Sequence, residues 1–134
     1  MKRDFISILD WTSEEIRKNI EFSIELKQLT KKGESPPLLK GKNYVLFFHK
    51  PSLRTRLSFE VGIRQLGGTS IVLSEQDFKI GKRETVKDVA RVMSRYVDGI
   101  LIRTYSHQMV LDLARFSSVP VVNMLTDFNH PCQV

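Results

Sequence analysis

Five consecutive residues, Ser52-Leu53-Arg54-Thr55-Arg56, combine two hydroxyl groups with two guanidinium groups. The apolar run 44–48 precedes them, Pro51 stops anything helical before it, and the composition from Ser52 onward favours a helix. A helix that begins here would present backbone N–H groups without internal partners, together with the positive end of its dipole. Because a planar guanidinium also matches phosphate oxygens, the segment predicts an oxyanion site at a strand-to-helix junction.

A second polar motif, His130-Pro131-Cys132-Gln133, lies near the other end of the sequence. Taken alone, a histidine before proline would more often be structural. Together, however, the two motifs resemble the signatures of the transcarbamoylases, which transfer the carbamoyl group of carbamoyl phosphate to an amine. Leu53 stands where that family usually has Thr, and the Cys132 form of the second motif is similar to the ornithine branch rather than the aspartate branch. The resemblance runs along essentially the whole chain.

Composition limits the class of protein and of ligand. The 134 residues suffice for one domain with a core, and 21 basic against 15 acidic residues give a net charge of +6. Basic residues are scattered and are not interleaved with aromatic ones, which favours a small anion over nucleic acid. No apolar run approaches a membrane span, no signal peptide is evident, and the single cysteine fits a reducing compartment. We therefore expect a cytoplasmic protein without membrane or nucleic-acid partners.

Helix and strand patterns alternate along the chain. Thr12 and Glu15 form a capping box before a helix that ends near Gly33. The remaining patterns predict strands over 44–48, 69–74, 99–103 and 119–124 and helices over 53–66, 84–97 and 108–116. This spacing is typical of βαβ units. The predicted fold is a single α/β domain, residues 1–134, with a four-stranded parallel sheet and helices on both of its faces; the strand order is left open.

Ligands of open α/β sheets bind outside the carboxyl ends of the strands. Strand one ends just before Ser52, strand three ends at Arg103, and the fourth strand is followed by His130. The topology therefore predicts that polar residues distant in sequence meet at one edge of the sheet: Ser52, Arg54, Thr55, Arg103, His130 and Gln133.

The family resemblance implies a role for each of these residues. The phosphate group would be held at the start of the second helix, by Ser52, Leu53, Arg54 and Thr55. Arg103 would bridge the phosphate and the carbamoyl oxygen, His130 and Thr55 would bind that oxygen, and Gln133 would hold the NH2 group. The catalytic set is then Arg54, Arg103 and His130, with no metal and no organic cofactor. Arg56 is predicted to be structural, paired with Glu60 or Glu84, and Cys132 is not expected to be a nucleophile.

The loop after the second strand contains Lys79. In the family, a polar residue at this position enters the active site of the neighbouring subunit of a trimer. The resemblance therefore implies that Lys79, or Lys82 as a second candidate, contacts phosphate in a homotrimer.

Relatives of this type have a second domain that binds the amine, and its signatures are not found in these residues. The resemblance implies the carbamoyl phosphate half of an enzyme that converts ornithine to citrulline and phosphate in arginine metabolism, and we expect the chain alone to be inactive. N-acetylornithine and N-succinylornithine remain alternative acceptors, because Ser-Leu-Arg-Thr-Arg also resembles those branches. A non-catalytic α/β domain that binds anions or nucleic acid is the alternative from another class.

Overall fold

The computed structural model describes residues 2–82 and 84–133 and shows one sheet with helices on both faces. Its elements are a 3-10 helix Ile8–Asp10, α1 Ser13–Lys31, β1 Asn43–Phe48, α2 Leu53–Gln65, β2 Thr69–Ser74, α3 Val86–Met93, β3 Gly99–Arg103, α4 His107–Phe116 and β4 Val121–Leu125. All strand pairs are parallel, and the strand order is β2-β1-β3-β4. The predicted α/β fold with a four-stranded parallel sheet is therefore confirmed.

The core lies on both sides of the sheet because successive side chains of a strand point to opposite faces. Phe47 of β1 is fully buried in a cluster that includes Ile102 of β3, Val89 of α3 and Leu113 of α4. Leu46, also fully buried, faces a smaller cluster on the side of α2. This burial on both faces explains why the central strands are continuously apolar.

The largest boundary differences from the sequence prediction are in α3 and β4. The helix predicted from Glu84 begins at Val86, because Thr85 caps it by accepting the Asp88 N–H at 3.1 Å. It ends at Met93 rather than Val97. The fourth strand begins at Val121, two residues later than predicted, and the short 3-10 helix capped by Ser7 has no counterpart in the prediction.

Helix α1 begins as its capping box predicts, with Thr12 and Glu15 bonded reciprocally. Ile16, Ile20 and Ile24 form an apolar stripe along this helix. The stripe lies at the surface: no residue of α1 is buried, and Ile20 and Ile24 are 41% and 51% exposed. A groove of about 350 Å³ runs beside this stripe and is lined by residues that include Phe59 of α2 and Cys132. Helix α1 thus presents an apolar surface that the described residues leave largely uncovered.

Candidate functional site

Ser52 stands at the junction of β1 and α2 and caps the helix. Its Oγ accepts the Thr55 N–H at 3.3 Å and donates to Thr55 Oγ1 at 3.0 Å. Thr55 is buried in the first turn, whereas Arg54 beside it is exposed. The N-terminus of α2 therefore combines the positive dipole end, a bonded hydroxyl pair and an exposed guanidinium, all of which favour anion binding.

Arg103, the last residue of β3, joins this junction from a neighbouring strand. Its Nη1 donates to Thr55 Oγ1 at 3.1 Å. The pairing of β3 with β4 is irregular here: Ile102 pairs with Asn123, but Arg103 pairs with Leu125. Such bulges redirect side chains at the ends of strands. The register shift thus coincides with the residue that reaches across to α2.

His130 follows β4 in a loop that Asn123 holds in place. Asn123 is fully buried, and its Nδ2 donates to the Ile6 carbonyl at 3.0 Å and to Asn129 Oδ1 at 2.6 Å. The Cys132 thiol donates to the Asn123 carbonyl at 3.3 Å. Sequence reasoning missed Asn123; the available signal was an amide within an apolar strand, where an unpaired polar group would be costly.

Two buried nitrogens have no hydrogen-bond partner among the described residues at this edge of the sheet. They are Arg103 Nε and His130 Nδ1. Buried polar atoms of folded proteins are rarely left without a partner, so each such atom needs an explanation. Both belong to residues that the sequence assigned to the site. We define the Arg103 cluster as Ser52, Thr55, Arg103 and His130.

Cavities lie on two sides of the α2 N-terminus. One, of about 320 Å³, is lined by Arg54, Thr55, Ser58, Phe59, His130, Cys132 and Gln133. The other, of about 570 Å³, is lined by Ser52, Leu53, Arg56, Glu75, His49 and neighbouring residues. The six residues predicted to meet at one edge of the sheet thus lie there, and Leu53, which is 74% exposed, lies at the entrance of the larger cavity.

Lys79 lines neither cavity. Its neighbour Ile80 is buried and Phe78 packs on Phe47, while Lys79 itself is exposed.

Cys132 and Arg56 have structural surroundings. Burial raises the pKa of the Cys132 thiol to about 11, so the thiol stays protonated at neutral pH. A thiol in this state is a poor nucleophile. Arg56 Nε donates to Glu60 Oε2 at 2.8 Å, and Glu60 is one of the two partners that the sequence suggested.

Within residues 2–82 and 84–133, no group of three or more His, Cys, Asp or Glu side chains is arranged to hold a metal ion. Among the helices of the same residues, none combines the length and the apolar composition needed to cross a bilayer.

Burial lowers the pKa of both His49 and His130, and the Arg103 charge lowers that of His130 further. The unfolded chain, whose histidines titrate near 6.5, then binds protons more readily than the native state. We expect the free energy of unfolding to be fully retained above that pH and to fall as the pH drops below it. Urea unfolding between about pH 7.5 and 5 checks this, and a variant with His49→Gln and His130→Gln should show a flatter profile.

The carboxylates with lowered pKa values are not expected to contribute to the change in stability between about pH 7.5 and 5. Glu15, Asp77 and Asp98 have lowered pKa values, so the stability that they contribute is lost only at more acidic pH. A profile that stays level from neutrality to about pH 5 would contradict the prediction.

Comparison with known proteins gives consistent matches to one family. Residues 3–134 match the model of the aspartate/ornithine carbamoyltransferase carbamoyl-P binding domain. The ornithine carbamoyltransferase of Symbiobacterium thermophilum is 52% identical over 132 residues, 98% of this chain and 43% of the relative. The structure of ornithine carbamoyltransferase from Pyrococcus furiosus superposes with a TM-score of 0.95 at 47% identity, covering 98% of this chain and 42% of the other.

An acetylornithine transcarbamylase complexed with acetylcitrulline also matches, with a TM-score of 0.83 at 35% identity over 98% of this chain and 44% of the other. The chain thus spans less than half the length of each of these relatives.

Proposed function

Because the chain belongs to the aspartate/ornithine carbamoyltransferase family, as its carbamoyl phosphate-binding domain, we propose that it binds carbamoyl phosphate as one half of an ornithine carbamoyltransferase. The observation that carries this proposal is a pair of buried nitrogens beside the α2 N-terminus, Arg103 Nε and His130 Nδ1, which have no partner in the part of the chain that the structure describes. A ligand with both an oxyanion and a carbonyl oxygen would suit this arrangement of donors.

The phosphate group would bind at the N-terminus of α2. Ser52, Arg54 and Thr55 would contact its oxygens, together with the backbone N–H of Leu53, which has no partner within a helix at this position. The dipole of the 13-residue helix favours the negative charge. The exposed Arg54 side chain is free to adopt the bidentate geometry that phosphate prefers.

The carbamoyl group would bind between Arg103, Thr55, His130 and Gln133. Attack by a neutral amine on the carbamoyl carbon forms the new C–N bond and places negative charge on the carbonyl oxygen. Arg103, Thr55 and His130 would donate to that oxygen, and one such donor is typically worth a factor of about 10² to 10³ in rate. The C–O bond to phosphate then breaks, phosphate leaves with the electron pair, and the departing phosphate takes up the proton that the amine loses. These steps use no metal and no organic cofactor.

The acceptor amine that we propose is ornithine, which would give citrulline and phosphate in arginine metabolism. Support comes from the identities of 52% and 47% to the two ornithine enzymes named above, against 35% to the acetylornithine enzyme. Acetylornithine remains the alternative acceptor. We place the reaction in the cytoplasm, since the one cysteine is a free thiol, as a reducing compartment allows.

We further propose that the amine-binding residues lie in the part of the relatives that this chain does not match, more than half of their length. The uncovered apolar surface of α1 supports this, because Ile20 and Ile24 need a partner surface. The groove beside them is lined by Pro131 and Cys132, so the polypeptide that follows the matched segment in a relative starts beside it. On this proposal the chain by itself does not form citrulline.

A second interface would serve assembly into a homotrimer. Leu53, Leu57 and Val61 form an exposed apolar stripe along α2, and Ile71 of the edge strand β2 is 48% exposed. The stripe adjoins the 570 Å³ cavity, which Ser52 also lines. We propose that a second copy covers this surface and directs its Lys79, or Lys82, toward the phosphate. The exposure of Lys79, away from its own Arg103 cluster, is compatible with this arrangement.

Calorimetric titration tests the proposal, with carbamoyl phosphate as ligand and inorganic phosphate as comparator. We expect carbamoyl phosphate to bind more tightly, because only it offers the carbonyl oxygen and the NH2 group. Gln133→Ala should abolish much of this preference, a factor of about ten for one hydrogen bond, while leaving phosphate affinity unchanged. The control is Gln108→Ala, which removes an exposed amide bonded to Asp112 on α4.

Equal affinity for the two ligands in every variant would contradict the proposal. Repeating the titration at several salt concentrations separates a pocket from a general basic surface. Affinity for nucleic acid would fall steeply with salt, in proportion to the number of phosphates contacted.

A further inference from the structure

His49 lies where the carboxyl ends of three neighbouring strands meet. It directly follows β1, and its backbone N–H donates to the Arg103 carbonyl of β3 at 2.9 Å. Its ring Nδ1 lies 2.7 Å from Thr104 Oγ1, just after β3. Its Nε2 lies 3.8 Å from Oε1 of Glu75, just after β2. The side chain is only 5% exposed, so these contacts largely define its surroundings.

His49 lies close in sequence or in space to two members of the Arg103 cluster, Ser52 and Arg103. Only Lys50 and Pro51 separate it from Ser52, the cap of α2, and its partner Thr104 is adjacent to Arg103. Arg103 in turn donates to Thr55. The backbone and the ring of His49 thus both connect the end of β3 to the loop that leads into α2.

The two ring nitrogens contact different partners. A neutral imidazole carries one N–H, so it can donate to Thr104 or toward Glu75, but not to both. Protonation places an N–H on each nitrogen and adds a positive charge facing the Glu75 carboxylate. The separation of 3.8 Å is too long for a hydrogen bond but suits an ion pair that can tighten.

Among residues 2–82 and 84–133, few charged groups share the surroundings of the His49 ring. The β2–α3 loop contributes Glu75, and α2 contributes Arg56, which lines the same cavity and is paired with Glu60. The residues that follow and pack behind β3 are Thr104 and Met109, which are uncharged. Glu75 is thus the acidic partner that a His49 cation would attract.

We propose that His49 is a positioning residue whose protonation draws Glu75, and with it the loop 75–82, toward the cavity bounded by Ser52 and Arg56. The loop carries Lys79 and Lys82, and Phe78 packs against Phe47, whose ring also contacts the His49 ring edge-on at 4.7 Å. Movement of Glu75 would therefore shift a segment already coupled to His49 through Phe47. An effect of this movement on phosphate binding rests on the proposed function. The coupling between the His49 ring and the loop 75–82 does not depend on it.

The test is nitrogen-15 NMR of the 134-residue chain titrated between about pH 8 and 5, with no ligand present. We expect the amide signals of Gln76 and Gly81 to shift with the same midpoint as the His49 ring nitrogens. His49→Asn retains a hydrogen-bonding group near the Nδ1 position but has none at Nε2, and the shared inflection should be lost. In Glu75→Gln the loop inflection should also be lost, while His49 still titrates, at lower pH because its acidic neighbour is gone.

His107→Gln is the matched control. His107 bonds Thr126 on the far side of β3, so its replacement should leave the loop inflection unchanged. Loop amides that do not shift with His49 in the unmodified chain, or that keep the inflection in Glu75→Gln, would overturn the proposal. Because no ligand is used, failure of carbamoyl phosphate to bind would refute the proposed function without affecting this result.

Discussion

Replacing Arg103 with Gln is expected to weaken carbamoyl phosphate binding by about 10- to 100-fold. Arg103 is the charged group that reaches from β3 to the α2 N-terminus, where its Nη1 donates to Thr55 Oγ1. Its buried Nε has no partner among the described residues and would be satisfied by the ligand. Hydrogen bonds to a charged group contribute about 1.5–3 kcal/mol, which sets this range. Calorimetric titration measures the loss.

A second readout follows from the electrostatics of His130. The Arg103 charge lowers the pKa of His130, in addition to the larger effect of burial. In Arg103→Gln the pKa of His130 should therefore rise toward its ordinary value, which NMR of the ring signals can follow without ligand. Arg91→Gln, on the exposed surface of α3, is the control for a loss of one positive charge. Unchanged affinity together with an unchanged His130 titration would contradict the role proposed for Arg103.

The elements and the main site residues were predictable because they depend on local chemistry. Ser52 caps α2 through its own turn, and Thr12 caps α1 with Glu15 three residues later. Both follow from residue type and spacing. The meeting of Arg103 with Thr55 was predictable from the rule that carboxyl ends of parallel strands share one edge. Their contact at 3.1 Å needed only that β1 and β3 be neighbours.

Other features depend on contacts between residues far apart in sequence, which no local pattern encodes. The strand order β2-β1-β3-β4 is one, and the bulge opposite Arg103 is another. The spacing of apolar residues along α1 identifies a contact face but not its partner, and two residues of this face, Ile20 and Ile24, are exposed. His49 and Asn123 were missed because each has a partner more than 50 positions away, Thr104 for His49 and Ile6 for Asn123.

Asn123→Leu is expected to lower the free energy of unfolding by about 2–4 kcal/mol. The fully buried amide donates to Ile6 and Asn129, and its Oδ1 accepts the Leu125 N–H at 2.9 Å. Leucine fills a similar volume but leaves these three groups without partners, and an unsatisfied buried polar group costs about 1–3 kcal/mol. Urea unfolding measures the change. Asn19→Leu on exposed α1 is the control and should shift stability by about 0.5 kcal/mol or less.

Asn123→Leu should also change the surroundings of His130, because Asn129, a hydrogen-bond partner of Asn123, immediately precedes His130. Without the 2.6 Å bond to Asn123, the loop after β4 loses a buried anchor, and the His130 ring should become more exposed. Since burial is the larger cause of its lowered pKa, the pKa of His130 should then rise even though Arg103 is intact. A destabilised variant whose His130 titrates as before would show that Asn123 supports the fold without positioning the loop. An Asn123→Leu variant as stable as the unmodified chain would refute both parts of the prediction.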